Sequence, residues 1–225
     1  MRDLLYKELK LCLHPMNFVF MAFALMLLIP NYIYTIPCFF VCNAIFYSFQ
    51  MSVQNNDALF TLLLPVGKRE AVRSKYRFVT ILELAMLVLY VPMMFLNHAI
   101  LGNPNTFLDA CPTLIGASFI TFAVFNAVFM PTFYKTGVKA GRSFLLSAFA
   151  VFVWIFAAEG FFMFCRIEQA PYFMKWAAEH LDVFPSSGYD IGVQLITTAV
   201  CAAVFAAVTL VSERASIRNF EKVDL

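Results

Sequence analysis

Long apolar runs alternate with short charged stretches along this chain, and their lengths predict helices rather than strands. The runs lie at 16–33, 36–53, 77–100, 113–134, 143–165 and 190–211. A hydrocarbon core about 30 Å thick takes about 20 apolar helical residues, so each run is read as a membrane span. The first two are the shortest, and Pro30, Asn31 and Pro37 mark a tight turn between them. Two full spans and a deeply inserted hairpin both fit that pair. Residues 1–14 differ. Leu5, Leu9 and Cys12/Leu13 recur at helical spacing among Arg2, Asp3, Lys7, Glu8 and Lys10, the pattern of an amphipathic helix lying in a membrane interface. Pro15 suits the first turn of the helix that follows. The expected fold is an all-α integral membrane protein, one transmembrane domain over 1–225 with six spans.

Charge placement predicts the orientation. Arg2, Lys7 and Lys10 precede the first run, and Lys68, Arg69, Arg73, Lys75 and Arg77 lie between the second and third. Lys135, Lys139 and Arg142 lie between the fourth and fifth, and Arg214, Arg218 and Lys222 follow the sixth. With six spans all these segments share one face, and only Arg166 and Lys175 lie on the other. Basic residues collect on the cytoplasmic side, so both termini are expected there.

Two loops carry more than orientation. The cytoplasmic loop 54–76 contains an almost wholly apolar stretch from Ala58 to Val66, which suggests a surface that docks on something. In the outer loop 166–189, Tyr172, Phe173, Trp176 and Leu181 interleave with Lys175, Glu179 and Asp182 between Pro171 and Pro185. That spacing predicts a short amphipathic external or re-entrant helix before the last span.

Composition agrees with a membrane protein. The chain is 62% hydrophobic, with 27 Phe and only 13% charged residues; soluble domains average about 45–50% apolar and about 25% charged. A net charge of +2 is too small to suggest nucleic acid. The six cysteines form no CxxC pair and read as small buried apolar residues. Cys111 and Cys165 both fall near outer span ends, where a disulfide between them would be allowed. No phosphate-binding loop, HExxH or GxSxG occurs, and His14, His98 and His180 are scattered. A chain that moves something uphill without its own nucleotide site takes energy from a partner or an ion gradient.

A charge inside the bilayer costs at least about 2.5–3.5 kcal/mol, so Glu83 and Glu159 are expected to face protein or a wet cavity. Glu83 is expected near the cytoplasmic interface, paired with nearby basic residues. Glu159 fits an inter-helix hydrogen bond or a substrate path. Phe122, Phe125, Phe129 and Phe133 form a stripe that fits lipid-facing bulk or a route for an amphiphile. Ala199, Ala203 and Ala207 read as close helix packing, and Pro92 as a kink.

Particular motifs resemble the permease subunits of ABC-2 type exporters, bacterial membrane subunits without a fused ATPase. They are Leu4-Leu5-Tyr6-Lys7-Glu8-Leu9 with His14-Pro15, then Asn55-Asn56-Asp57, Phe60-Thr61-Leu62-Leu63-Leu64-Pro65-Val66, Lys68-Arg69 and Val72. Gln54 stands where an acidic residue is expected, and Gly67 interrupts the basic run. The resemblance implies a bacterial plasma-membrane protein that pairs with a second permease as a homo- or heterodimer. It also implies separate ABC ATPase subunits, with ATP and Mg on the ATPase and no cofactor in this chain. A coupling helix would dock through Asn55, Asn56, Asp57, Leu59, Leu62, Leu63, Pro65, Val66, Lys68 and Arg69. Asp57 would cap its start, and Lys68 and Arg69 would lie at its end, favourable to its dipole. Residues 135–142 would be a lesser contact, and the external helix would help seal the exit. Two other readings stand beside this one: a membrane sensor or assembly module, which leaves the apolar stretch unexplained, and an ion-coupled transporter centred on Glu159.

Overall fold

The computed structural model describes residues 2–63, 66–102, 105–137, 139–167, 170–185 and 187–222. Among them there is no strand. Helix α1 (Arg2–Lys7) continues as a π-helical turn, Glu8–Cys12, and α2 (Met16–Met21) continues as a 3₁₀ stretch, Ala22–Leu28. Then come α3 (Ile36–Gln54), α4 (Asp57–Leu63), α5 (Lys68–Leu101), α6 (Pro112–Lys135), α7 (Ala140–Cys165), α8 (Tyr172–Leu181) and α9 (Gly188–Glu221). Five of these, α3, α5, α6, α7 and α9, are long and apolar enough to cross a membrane.

Local chemistry sets several boundaries. Proline lies at or just before the starts of α2, α3, α6 and α8, where its missing N–H costs nothing. Ser187 caps α9 by accepting the Asp190 amide at 3.1 Å, and α5 ends at Gly102 in a left-handed conformation (φ 63°). Pro92 sits within α5, which continues through it.

The first apolar run is shorter than the rest. At the rise of α and 3₁₀ turns, Met16–Leu28 is about 23 Å long. Its two ends are nevertheless far apart in the bundle. Asn17 donates to Ser48, near the end of α3, at 2.8 Å. The Leu27 carbonyl accepts from Asn97, near the end of α5, at 2.5 Å. Asn97 also donates to the Tyr34 hydroxyl, and Tyr90 donates to the Tyr34 carbonyl.

Helix α6 occupies the centre and packs along α9 and α7. Its phenylalanine stripe, Phe122, Phe125, Phe129 and Phe133, faces inward and is buried, with Phe49 of α3 packed edge-on against Phe129 and Phe133. The stripe therefore does not face lipid. The α6–α9 seam is polar at intervals. Thr198 donates to the Pro112 carbonyl, Ser212 to the Asn126 carbonyl and Asn219 to the Pro131 carbonyl. Gly116 permits the approach, since a Cβ there would sit 3.4 Å from the Thr198 backbone. Ala199, Ala203 and Ala207 do not take part; they lie exposed on the other face of α9.

Two further expectations change. Glu83 is fully buried and accepts from Asn126 of α6 at 3.0 Å, rather than pairing with a basic residue. Cys111 and Cys165 are both buried free thiols, and Cys111 donates to the Leu181 carbonyl.

The bundle has two distinct ends. At one, α1, α4, the start of α5 and the end of α9 converge; Arg69 pairs with Glu221 at 2.7 Å and Arg73 with Glu213 at 3.1 Å. At the other lie α8, the 29–35 turn and the 105–111 loop.

Candidate functional site

The turn before α4 is built from its asparagines. Asn55 and Asn56 donate their amides to the Met51 and Val53 carbonyls, closing α3. Asn56 takes a left-handed conformation (φ 51°), which asparagine tolerates better than most residues. Its carbonyl then accepts the Phe60 amide, and the chain re-enters a helix at Asp57.

Asp57 is the first residue of α4, and its carboxylate joins a cluster of four charges. Lys7 lies 2.6 Å from one oxygen, and Lys75 lies 3.0 Å from the other. Lys75 also pairs with Glu8 at 2.5 Å, and Lys7 lies 3.7 Å from Glu8. Ser52 donates to Asp57 and accepts from Lys75, each at 3.0 Å. Lys7 reaches the Thr61 hydroxyl at 2.5 Å, and Thr61 donates back to the Asp57 carbonyl. Two acids and two bases thus bind together α1, the end of α3, α4 and the start of α5. A cavity of about 30 Å³ lies beside them, walled by Phe133, Tyr134 and Phe220.

Burial works against the Asp57 carboxylate, but the lysines Lys75 and Lys7 outweigh it and hold its pKa at about 2. Glu8 is only 2% exposed. An unpaired charge so buried would be costly, so the π turn that presents Glu8 to Lys75 depends on the cluster. Sequence patterning does not bring Lys7, Glu8, Thr61 and Lys75 together, although Lys7, Glu8 and Thr61 stand in the motifs that carry the family resemblance. Lys7 and Glu8 read as the solvated face of an amphipathic helix, and nothing along the chain links them to residues fifty or more positions away.

Two apolar side chains of α4 stand exposed beside this cluster. Phe60 is 65% exposed and Leu63 81% exposed. They are three residues apart, so they lie together on one helix face. Of the residues expected to dock, Leu63 is on this surface and Asn55 and Asn56 border it, exposed. Val66 is partly buried. Pro65 and the side chains of Leu59 and Leu62 lie outside the described residues. Phe60 joins this surface although it is not among the residues expected to dock.

Lys68 and Arg69 open α5, with Gly67 before them. Arg69 pairs with Glu221, and the Lys68 ammonium lies over the Phe220 ring at 5.6 Å. Both tie the loop to the end of α9.

Glu159 lies towards the other end. It is 2% exposed; Thr35 donates to one oxygen at 2.6 Å and the Leu108 amide to the other at 2.9 Å. Asp182, fully buried, does the same for the next residue. It accepts the Asp109 amide at 2.8 Å and pairs with Arg166 at 2.6 Å. Two buried carboxylates from different segments therefore hold one short loop. Among the described residues no group of His, Cys, Asp or Glu has the arrangement of a metal site.

Residues 3–221 match the family model described as ABC-2 family transporter protein. The chain belongs to that family. No curated protein and no solved structure matches it. Membership makes the chain a transporter membrane protein, in accord with its five long apolar helices. An ABC-2 family protein is a membrane subunit that normally lacks an ATPase site of its own.

Proposed function

We propose that this chain is the permease subunit of an ATP-driven exporter in a bacterial plasma membrane, driven by a separate ATPase that docks on α4. The observation that carries the reading is the division of α4 into two faces. One face is fixed to α1, α3 and α5 through Asp57 and Thr61; the other offers Phe60 and Leu63 to solvent. A push on the exposed face is passed to the starts of membrane-crossing helices because the ion cluster leaves α4 no independent motion. ATP and Mg belong to the ATPase, and this chain carries no cofactor.

The α4 end is the cytoplasmic end in this reading. It holds most of the basic residues, which favour that side. Met16–Leu28 makes a sixth, shorter crossing, so both chain ends are cytoplasmic, α1 is the interfacial helix and α8 the external one. A second permease, identical or related, completes the path. The outward-facing small residues Ala199, Ala203 and Ala207 support pairing, since such residues let helices approach closely in lipid.

Co-purification with the cognate ATPase tests the docking face. Phe60→Asp and Leu63→Asp should each reduce recovery of the ATPase by roughly tenfold or more, since each places a charge in an apolar contact. The thermal midpoint of the permease alone should barely change, because both side chains are exposed. Undiminished recovery with both variants would sink the proposal.

A further inference from the structure

At the end of the bundle opposite α4, a cavity of about 180 Å³ opens between the end of α5, the 105–111 loop and residues 183–184. One wall is Asp109, only 7% exposed. Its carboxylate accepts the amide of the adjoining Ala110 at 2.8 Å and lies against the Asn105 amide. Arg166 and His98 lie near enough to favour its charged form, but Arg166 forms its ion pair with the neighbouring Asp182 at 2.6 Å, and among the described residues no such close ion pair is seen at Asp109. The loop backbone itself is held by Glu159 and Asp182, so the carboxylate is fixed in place and not free to swing into water. The facing wall is His98 stacked on Phe184, ring centres 3.9 Å apart and nearly parallel. Ala110 and Val183 complete an apolar lining.

We infer that this cavity binds a primary ammonium group on an apolar stem, with the ammonium on Asp109 and the stem against Val183 and the Phe184–His98 pair. A buried carboxylate with no direct ion pair is expensive, the more distant Arg166 and His98 compensate it only in part, and a charge-assisted hydrogen bond from an ammonium offsets the remaining cost. The stacked rings add cation–π attraction beside it. The volume takes a small amine, and an anion is excluded by repulsion from Asp109. The site is independent of docking at α4, so its test stands apart from that of the proposed function.

The probe is benzylamine, added to the purified full chain in detergent while thermal unfolding is followed; benzyl alcohol and benzoate are the controls. Benzylamine should raise the midpoint saturably by a few degrees, because a ligand binding only the folded state stabilises it. The controls should not. In Asp109→Asn the half-saturating concentration should rise roughly tenfold or more. Phe184→Ala, on the facing wall, should weaken binding severalfold and keeps the test open if the first variant fails to fold. An equal response to benzyl alcohol, or undiminished binding in either variant, overturns the inference. Lysine side chains and phosphatidylethanolamine headgroups share this chemistry. Nanodiscs with and without phosphatidylethanolamine separate them: a benzylamine response that shrinks only with that lipid identifies the headgroup as occupant. A response equal in both identifies a soluble amine.

Discussion

At the scale of single residues, the cluster of Lys7, Glu8, Asp57 and Lys75 governs how α4 is held. Removing one member of a mostly buried set strands the charge of its partner. Lys75→Met should therefore cost about 2–4 kcal/mol, somewhat less than a fully buried pair because Lys75 keeps some exposure. Combining it with Glu8→Gln should cost less than the sum of the two single changes, by about 1 kcal/mol or more, in a double-mutant cycle read by thermal unfolding. Acid titration tests Asp57 separately. Its folded pKa is depressed from 3.8 to about 2. A depressed carboxylate contributes stability that is present above the unfolded value and is lost as pH falls through the folded value. The wild type should thus lose stability between about pH 4 and pH 2 more steeply than Asp57→Asn. Equal slopes would show that Asp57 has no charge partner in the folded chain. Asp57 was legible in the sequence as a polar residue at a helix start, but its use was not. A local cap and a distant lysine compete for the same carboxylate, and only the fold brings Lys7 and Lys75 near.

At the scale of elements, the Asn55–Asn56 turn decides where α4 points. Asn56 holds a left-handed conformation that β-branched residues resist. Asn56→Val should destabilise by about 1–2 kcal/mol and Asn56→Gly by far less, as measured by denaturant midpoints. The helices themselves were readable from hydropathy, since long apolar runs bounded by charge and proline have few alternatives. Their facing was not. The α6 phenylalanines and the α9 alanines lie at helical spacing that marks a face without saying towards what. In the bilayer both lipid and neighbouring helices are apolar, so periodicity loses the contrast it has in water. The structure turns the phenylalanines into the core and the alanines out of it. Glu83 follows the same logic. It meets Asn126 across α6 because the core, not the interface, surrounds that turn of α5.

At the scale of the whole molecule, α1, α4 and the end of α9 share one end, and α8 marks the other. A cysteine placed at Phe60 should react with a membrane-impermeant maleimide only after cells are opened, and one at Phe173 should react in intact cells. Both side chains are exposed, so reactivity reports side and not burial. Labelling of both from the same side would refute the arrangement of crossings. The one-sided placement of the basic loops is what leads to this expectation, since removing one crossing scatters the charges over both faces. The shortness of the first arm was visible too, in the spacing of Pro15, Pro30 and Pro37.

The winding of that arm was not visible, and it has a mechanical consequence. Ala22–Leu28 is a seven-residue 3₁₀ stretch, long for a form that seldom exceeds three or four residues. A 3₁₀ turn rises about 0.5 Å more per residue than an α turn. Rewound as α-helix, the same residues would be about 3.5 Å shorter, with each amide passing to the next carbonyl back rather than to lipid. The arm joins Asn17, bonded to Ser48 of α3, to Leu27, bonded to Asn97 of α5. Such a rewinding would shorten the one arm that runs between the two ends of the bundle, and each hydrogen bond lost in it would be replaced by another.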